Sequence, residues 1–479
     1  MQYDKLELER ILTLQRNAFR REGAVTAAVR RSRVSRMALA ILENINAIAD
    51  ALSIDYGYRP PALTKSFEAT SWIADIQGTL DHLDEWMAPV DIPGGFVQQK
   101  PKGVVGIIGA WNFPIILTFE PAMEALAAGN RVMLNFSEFH PRTAAVLAAS
   151  LSKVFTEDEV AFIHGDLGTA QHFSALRFDH LFFTGSPKVG SLVSQAAARN
   201  LVPVTMELGG KNPVVVARDA DLDLAARRIA STRTLNGGQI CLCPDYVLVP
   251  RELLAAFVDK LQAQFAALFP HYLDNPNVVS IVNERNYDRV TGLINDAVEH
   301  GARKIAVTSK AEAGRLPDRS SRRIAPTILL DVPEAALVNH EEIFGPVIVL
   351  HAYDTIQDVL EYVGTRPAPL AAYWYGEDSA EFKRFLNETT SGGVTRNDGL
   401  VHAVLPDAPF GGIGNSGSGA YHGKDGFDTF THRRTVANVT QPKGIAEDLV
   451  DGTLLSAQFQ RGVDGAVSQA IDKFRQQLG

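Results

Sequence analysis

The only two cysteines in the chain, Cys241 and Cys243, stand one residue apart in GGQICLCPD, behind two glycines and a glutamine. A thiolate attacks a carbonyl carbon, and the oxygen that turns anionic needs hydrogen-bond donors placed where its charge develops. Glycines ahead of the cysteine let backbone approach a substrate or cofactor where a Cβ would collide. Passing an acyl group from sulfur to water needs a carboxylate that takes a proton. Three tight motifs offer such groups: Asn112 in AWNFP, Glu207 in MELGGKNP and Glu342 in HEEIFGPV. On local sequence alone a second reading of Cys241 stays open, a buried thiol that packs as a small hydrophobe.

The hydrophobic pattern indicates the elements that must position these groups. From Leu6 to Leu52 apolar residues recur at three and four, which predicts two or three amphipathic helices before DYGYRPP breaks the pattern. Beyond Lys102 short apolar runs alternate with helical stretches: GVVGIIG, RVMLNF, VAFIHG and HLFFTG, then, after MELGG, NPVVVA, DYVLVP, KIAVTS, VIVLHAY and LAAYWYG. That alternation predicts parallel sheets covered on both faces, an α/β fold of two closely packed domains with a boundary near Glu207. KPKGVVGIIGAWNFP carries glycines at 103, 106 and 109, but not in the GxGxxG spacing of a dinucleotide loop. FFTGSPKVG is the better anion site. A strand ends at Thr184, Gly185 turns the chain, Ser186 can cap, and Pro187 suits the first helical position. An ordinary strand-to-helix corner has the same local signature.

At 479 residues the chain exceeds what one core usually supports, and 46% apolar with 21% charged residues fits neither a disordered nor a fibrous class. A net charge of −9 argues against a nucleic-acid partner, and the one basic cluster, RRSRVSR from Arg30, reads as a solvated helix face. No apolar stretch reaches a membrane span, and Arg461, Asp472 and Arg475 keep the tail out of a bilayer. Two cysteines so close cannot staple distant segments, so a cytoplasmic protein is expected.

Taken together, NGGQIC, MELGGKNP, EEIFGPV, FTGSPKVG, AWNFP and PFGGIGNSGSGAYHGKDGFDTFTH resemble the aldehyde dehydrogenase superfamily. The closing motif is most similar to its coniferyl aldehyde and fatty aldehyde dehydrogenase branch, and the match runs in order from about Arg36 to Thr440. The resemblance implies a Rossmann-like NAD-binding domain over residues 1–206 and a catalytic domain over 207–403. A return segment and oligomerisation strand over 404–445 and a tail over 446–479 follow, with residues 86–101 and RRTVANVT forming a small β arm of a homodimer. It implies NAD(P)-dependent oxidation of a small-molecule aldehyde to its acid, with no metal. Cys241 would add to the aldehyde, and the oxyanion would lie between the Asn112 side chain and the Cys241 N–H. Glu207 would activate the deacylating water. Glu342 would hold the nicotinamide ribose with Phe344 nearby. Gly185 and Ser186 would receive the pyrophosphate, and Trp111, Asn135, Ser137 and Glu138 would line the cofactor cleft. Lys211 would be structural, Asn397 would support the site from behind, and Cys243 would pack. Phe113, Leu117, Ile240 and Leu242 would form an apolar channel for an aromatic or medium-chain aldehyde.

Several positions depart from the family pattern. Asn135 and Phe136 stand where relatives carry lysine and proline. Asparagine loses a charged contact that would help a 2′-phosphate, so NAD is expected over NADP, while Phe136 is expected to crowd the adenine side. Arg396 and Ser231 are expected at the substrate channel, where an arginine would suit an anionic aldehyde; a surface arginine is the alternative. Two other readings of the chain compete with aldehyde oxidation. An acylating or reductive relative would usually lack Glu207, and a degenerate subunit used for assembly has only Asn135 and Phe136 in its favour.

Overall fold

Three helices open the chain, Lys5–Glu22, Ala27–Leu42 and Ile45–Asp55. Asp4 and Thr26 cap the first two, accepting from the backbone N–H groups of Glu7 and Val29. The second helix carries the basic cluster, and here the structure corrects the sequence. Arg30 and Arg33 are buried, and the latter bonds Glu22 at 2.7 Å and Glu159 at 3.0 Å. Arg30 donates to the carbonyls of Val25 and Ala127. The cluster fastens this helix to the protein, because carboxylates and carbonyls from distant segments compensate the buried charge.

The computed structural model describes residues 3–405, 408–441, 444–450 and 452–478. They form two units, one made of the chain up to Met87 with Lys100–His432, the other of Ala88–Gln99 with the chain from Arg433 onward. In the first unit a six-stranded sheet has the order Gly417–Ser418, Val204–Leu208, His180–Gly185, Val104–Ile108, Arg131–Phe136, Val160–His164. Its first strand in sequence, Val104–Ile108, lies in the middle, with Arg131–Phe136 on one side and His180–Gly185 on the other. The strand order therefore reverses between the parallel strands Val104–Ile108 and His180–Gly185, and the crevice beyond their carboxyl ends is where open α/β sheets bind ligands. Two sequence motifs, AWNFP and GSPKVG, emerge there.

Four residues after Leu208, at Asn212, the chain enters a second, seven-stranded sheet. Its order is Arg303–Ala306, Thr327–Leu330, Val347–Tyr353, Pro244–Pro250, Asn212–Val216, Ala371–Tyr375, Gly393–Arg396. Val214, Val215, Val216 and their neighbours Val247 and Val249 are fully buried, as a sheet covered on both faces requires. Both sheets depart from purely parallel pairing at one edge. Arg303–Ala306 runs antiparallel to Thr327–Leu330, and Gly417–Ser418 antiparallel to Val204–Leu208. Strand and helix alternation carries no information about either edge, since Arg303–Ala306 is left through the irregular stretch 307–326 and Gly417–Ser418 is reached through 397–416, which has no α-helix or strand among its described residues.

In the second unit Val90–Ile92 and Gly95–Pro101 form a hairpin with Val90 opposite Val97, and Thr431–Ala437 completes a three-stranded sheet. A helix, Ala457–Gln477, capped by Ser456, lies near the end of the chain. Among the described residues no single helix is long and apolar enough to cross a membrane.

Candidate active site

Cys241 sits between a short 3₁₀ turn, Leu235–Gly238, and the strand Pro244–Pro250. Asn236, Gly237 and Gly238 have φ of 50°, 66° and 76°, three left-handed residues in a row. Only glycine takes this conformation freely, and asparagine tolerates it best among the others, which accounts for NGG ahead of the cysteine. Gln239, fully buried, holds the turn on its far side. Its Oε1 accepts from the Val282 N–H at 2.9 Å, and its Nε2 donates to the carbonyls of Asn236 and Ser280.

Asn112 follows the central strand of the first sheet and is 3% exposed. Its Nδ2 donates to the Gln239 carbonyl at 3.3 Å, so the amide faces the cysteine turn. Asn236 Nδ2 reaches the same carbonyl at 3.2 Å and the Asn112 carbonyl at 3.2 Å. The loops that end the first sheet and begin the second are thereby locked to one another.

Glu207 lies on Val204–Leu208, opposite Thr184 on one side and Gly417 on the other. It is 3% exposed, and neither carboxylate oxygen has a hydrogen-bond partner. Burial pushes its carboxyl well above the ordinary range. The Cys241 thiol is also pushed up, first by burial and then by the nearby Glu342 and Glu207 carboxyls. Glu342 is held up to about 8 by burial and by Asp245, against the Gly210 N–H and the charges of Arg289 and Lys211. A Cβ on Gly209 would stand 2.2 Å from Glu342 Oε2, so the glycine pair of MELGGK is the floor on which that carboxyl rests. A thiol, a donor amide and two carboxyls of raised pKa thus converge where the carboxyl end of one sheet meets the amino end of the other, the pattern expected of an acid–base site.

The description of the aldehyde dehydrogenase family matches residues 2–436. The chain belongs to the aldehyde dehydrogenase family. It is 43% identical to the coniferyl aldehyde dehydrogenase of Pseudomonas sp. strain HR199, over 91% of this chain and 92% of that protein. It is 44% identical to a protein of Caulobacter vibrioides named probable coniferyl aldehyde dehydrogenase, over 90% and 91%. The substrate-bound structure of Staphylococcus aureus AldH superposes with a TM-score of 0.85 at 31% identity, covering 94% of this chain and 99% of that one. This aldehyde dehydrogenase accordingly oxidises aldehydes to acids with a nicotinamide dinucleotide.

The residues at the switch point fit such a cofactor. Ser186 is exposed and caps Pro187–Ala198, the Thr184 hydroxyl beside it is buried without a partner, and Val189 and Leu192 offer exposed apolar surface on the same helix. Ser137 is buried and accepts from the Phe139 N–H at 3.3 Å, while Glu138 is exposed just beyond the strand Arg131–Phe136. Asn135, on that strand, is 6% exposed and gives its carbonyl to the Gly109 N–H at 3.3 Å. Phe344, with φ of 48°, meets Trp111 edge-on at 5.2 Å. Phe113, Ile240 and Leu242 are buried in one apolar core, with Leu117 and Cys241 packed against it.

Three sequence expectations are corrected. Phe136 is 1% exposed and packs on Phe162 at 5.5 Å, because strand alternation turns it into the core, away from Asn135. Arg396 is not brought to Cys241. Thr395 takes the buried side of its strand, and Arg396 lies exposed over the Phe382 ring at 5.8 Å with Nη1 directed to the Gly376 carbonyl. Ser231 bonds the Arg227 carbonyl one turn back on its own helix, on an exposed side.

Cys243 donates to the Thr232 carbonyl at 3.3 Å, and burial pushes its thiol up to about 12. Lys211 bonds Asp245 and the carbonyls of Val338 and Glu341. Asn397 bonds the backbone of Gly376 in both directions, at 2.8 and 3.0 Å. The residue reading passed over Asn212, Asp245 and Arg289. Asp245 accepts from the Ile343 N–H at 2.9 Å, and Arg289 donates to the carbonyls of Glu342 and Ile343 at 2.9 and 2.7 Å. Asn212 and Asp245 stood inside quoted motifs; Arg289, on the helix Glu284–Glu299, has no local signal at all.

Proposed function

We propose that this enzyme oxidises an aromatic or medium-chain aldehyde through a thioester on Cys241, with NAD preferred over NADP. The observation that carries the reading is the meeting of Cys241, the inward amide of Asn112 and the unpartnered carboxyl of Glu207. Cys241 gives its proton to water, or to Glu207, which releases it to solvent before deacylation, and the Sγ–C bond forms. The former carbonyl oxygen takes the charge, and the Asn112 Nδ2 and the Cys241 N–H donate to it. The bound dinucleotide supplies the acceptor for the hydride that leaves this carbon. Glu207 then takes a proton from water as the water oxygen displaces Sγ, and the acid departs.

The named activity of the Pseudomonas relative supports an aromatic aldehyde, and the apolar set Phe113, Leu117, Ile240 and Leu242 suits one. Glu138 would accept from the adenosine ribose hydroxyls and repel a 2′-phosphate, and Asn135 supplies no cation to offset that repulsion. The strand Thr431–Ala437 is the outer strand of its three-stranded sheet and mostly exposed, a place where a second copy could add a strand, which favours a homodimer. Two free thiols suit a cytoplasmic home.

The test is growth of NADH absorbance with coniferaldehyde, benzaldehyde and hexanal, using NAD and NADP in parallel. Cys241→Ala should abolish it, and intact-mass spectra should show an acyl adduct on wild type alone. No turnover of any aldehyde with either dinucleotide rejects the proposal; light scattering of the eluted protein decides the dimer.

A further inference from the structure

The stretch DYGYRPP does no work in the chemistry above, yet two of its side chains, Tyr56 and Arg59, are 0% exposed and point at the loop that carries Asn112. The Tyr56 hydroxyl lies 3.0 Å from the Asn112 carbonyl and 3.2 Å from that of Trp111. Arg59 Nη1 donates to the same Asn112 carbonyl at 3.3 Å and pairs with Glu68 at 2.6 Å, both partners being wholly buried. Glu68 Oε2 accepts from the Ile115 N–H at 2.6 Å. Ile115 is the N-cap of the helix Ile116–Ala127 and offers no side-chain cap of its own, so Glu68 provides one from outside. His140 completes the cage. Its ring stacks on Tyr56 at 5.2 Å, and its Nε2 lies 2.7 Å from the Trp111 carbonyl.

A buried ion pair contributes little net stability compared with apolar residues of the same shape. It does impose direction. The Asn112 carbonyl takes donors from Tyr56, Arg59 and Asn236 at once, and the peptide that follows it is tied to Glu68 within three residues. Rotation of the Asn112 backbone would break these bonds together and swing its Nδ2 away from the cysteine turn.

We infer that Tyr56, Arg59 and Glu68 are positioning residues that set the Asn112 amide for the transition state. This rests on the reading of Asn112 as the oxyanion donor. Misplacing such a donor by about 1 Å costs on the order of a hundredfold in rate.

A double-mutant cycle on the full-length enzyme tests it, with Tyr56→Phe, Asn112→Ala and both together. The readouts are the rate of hydride transfer in the first turnover, the KM for NAD and the melting temperature. The expected result is a loss of about ten- to a hundredfold in hydride transfer for Tyr56→Phe, with KM for NAD unchanged. In the Asn112→Ala background the same change should have almost no further effect. A Tyr56→Phe enzyme as fast as wild type, or one slowed by the same factor with and without Asn112, overturns the inference. Full activity of Asn112→Ala alone overturns the oxyanion reading and this inference with it. Should Tyr56→Phe fail to fold, Glu68→Gln in the same cycle gives the answer, because it keeps the shape and removes the charge.

Discussion

The side-chain amide of Asn212 donates to the carbonyl of Cys241 at 2.7 Å. The same Nδ2 reaches the Cys243 carbonyl at 2.9 Å, and Oδ1 accepts from the Ala371 N–H at 2.9 Å. Asn212 opens an interior strand of the second sheet, paired with Pro244–Pro250 on one side and Ala371–Tyr375 on the other, so its bonds fix the cysteine loop to the sheet. Asn212→Ala would leave two buried carbonyls and one N–H short of partners, each costing about 1–3 kcal/mol where water cannot enter. The expected outcome is a lower melting temperature together with slower acylation of Cys241. Unaltered values of both would show the loop to be held by other contacts.

Glu207 is buried with both oxygens unpartnered, a state that structure alone would disfavour. Its place beside Cys241 suits the deacylating role proposed for it. Glu207→Gln should keep the first-turnover burst of NADH and slow the steady state by about 10²- to 10⁴-fold. An undiminished steady rate would remove Glu207 from the base role.

How far the sequence foretold this arrangement depends on where each partner comes from. Asn112, Glu207 and Cys241 stand in short motifs whose glycines and prolines mark turns, and strand periodicity sets those turns at the ends of sheets. Arg33 could not be placed this way. Its helix alone reads as a charged face, and the carboxylate that buries it, Glu159, lies 126 residues on. Tyr56 and Glu68 escaped for the same reason, since their partners Asn112 and Ile115 are non-local. Phe136 was placed by comparison with a proline rather than by alternation along its own strand, which would have sent it to the core.

Glu342 makes stability depend on pH in a direction opposite to that of an ion-paired carboxylate. Its pKa rises from 4.5 to about 8 in the fold. Between those values the native protein holds a proton that the unfolded chain has released, so stability falls as pH rises through that window. Glu342→Gln removes the titration. Its melting temperature, relative to wild type, should therefore increase from about pH 5 to about pH 8.5, while its affinity for NAD falls. A gap that does not change with pH would mean that Glu342 is ionised throughout.

Cys241 is partly exposed and Cys243 is buried, and both thiols are pushed upward. Without cofactor, alkylation of Cys241 by iodoacetamide should be slow at neutral pH and should keep rising beyond the ordinary thiol range of about 8.5 without a plateau. Peptide mapping should find label on Cys241 and none on Cys243 while the protein is folded. Cys243→Ser should retain most of the turnover. A plateau below neutrality would reveal a thiolate stabilised before any ligand binds.

Asn135 gives the last test, one that reads cofactor choice directly. Its carbonyl is engaged with Gly109 in the switch-point crevice, and Glu138 is exposed three residues on. A lysine at 135 has a stem long enough to carry its ammonium out of the strand toward that exposed end. A charged hydrogen bond to a 2′-phosphate contributes about 1.5–3 kcal/mol, roughly ten- to a hundredfold in affinity. Asn135→Lys should therefore lower the KM for NADP by about tenfold or more and change that for NAD far less. Steady-state assays with both dinucleotides decide it, and equal KM shifts for the two would place Asn135 away from the adenosine ribose.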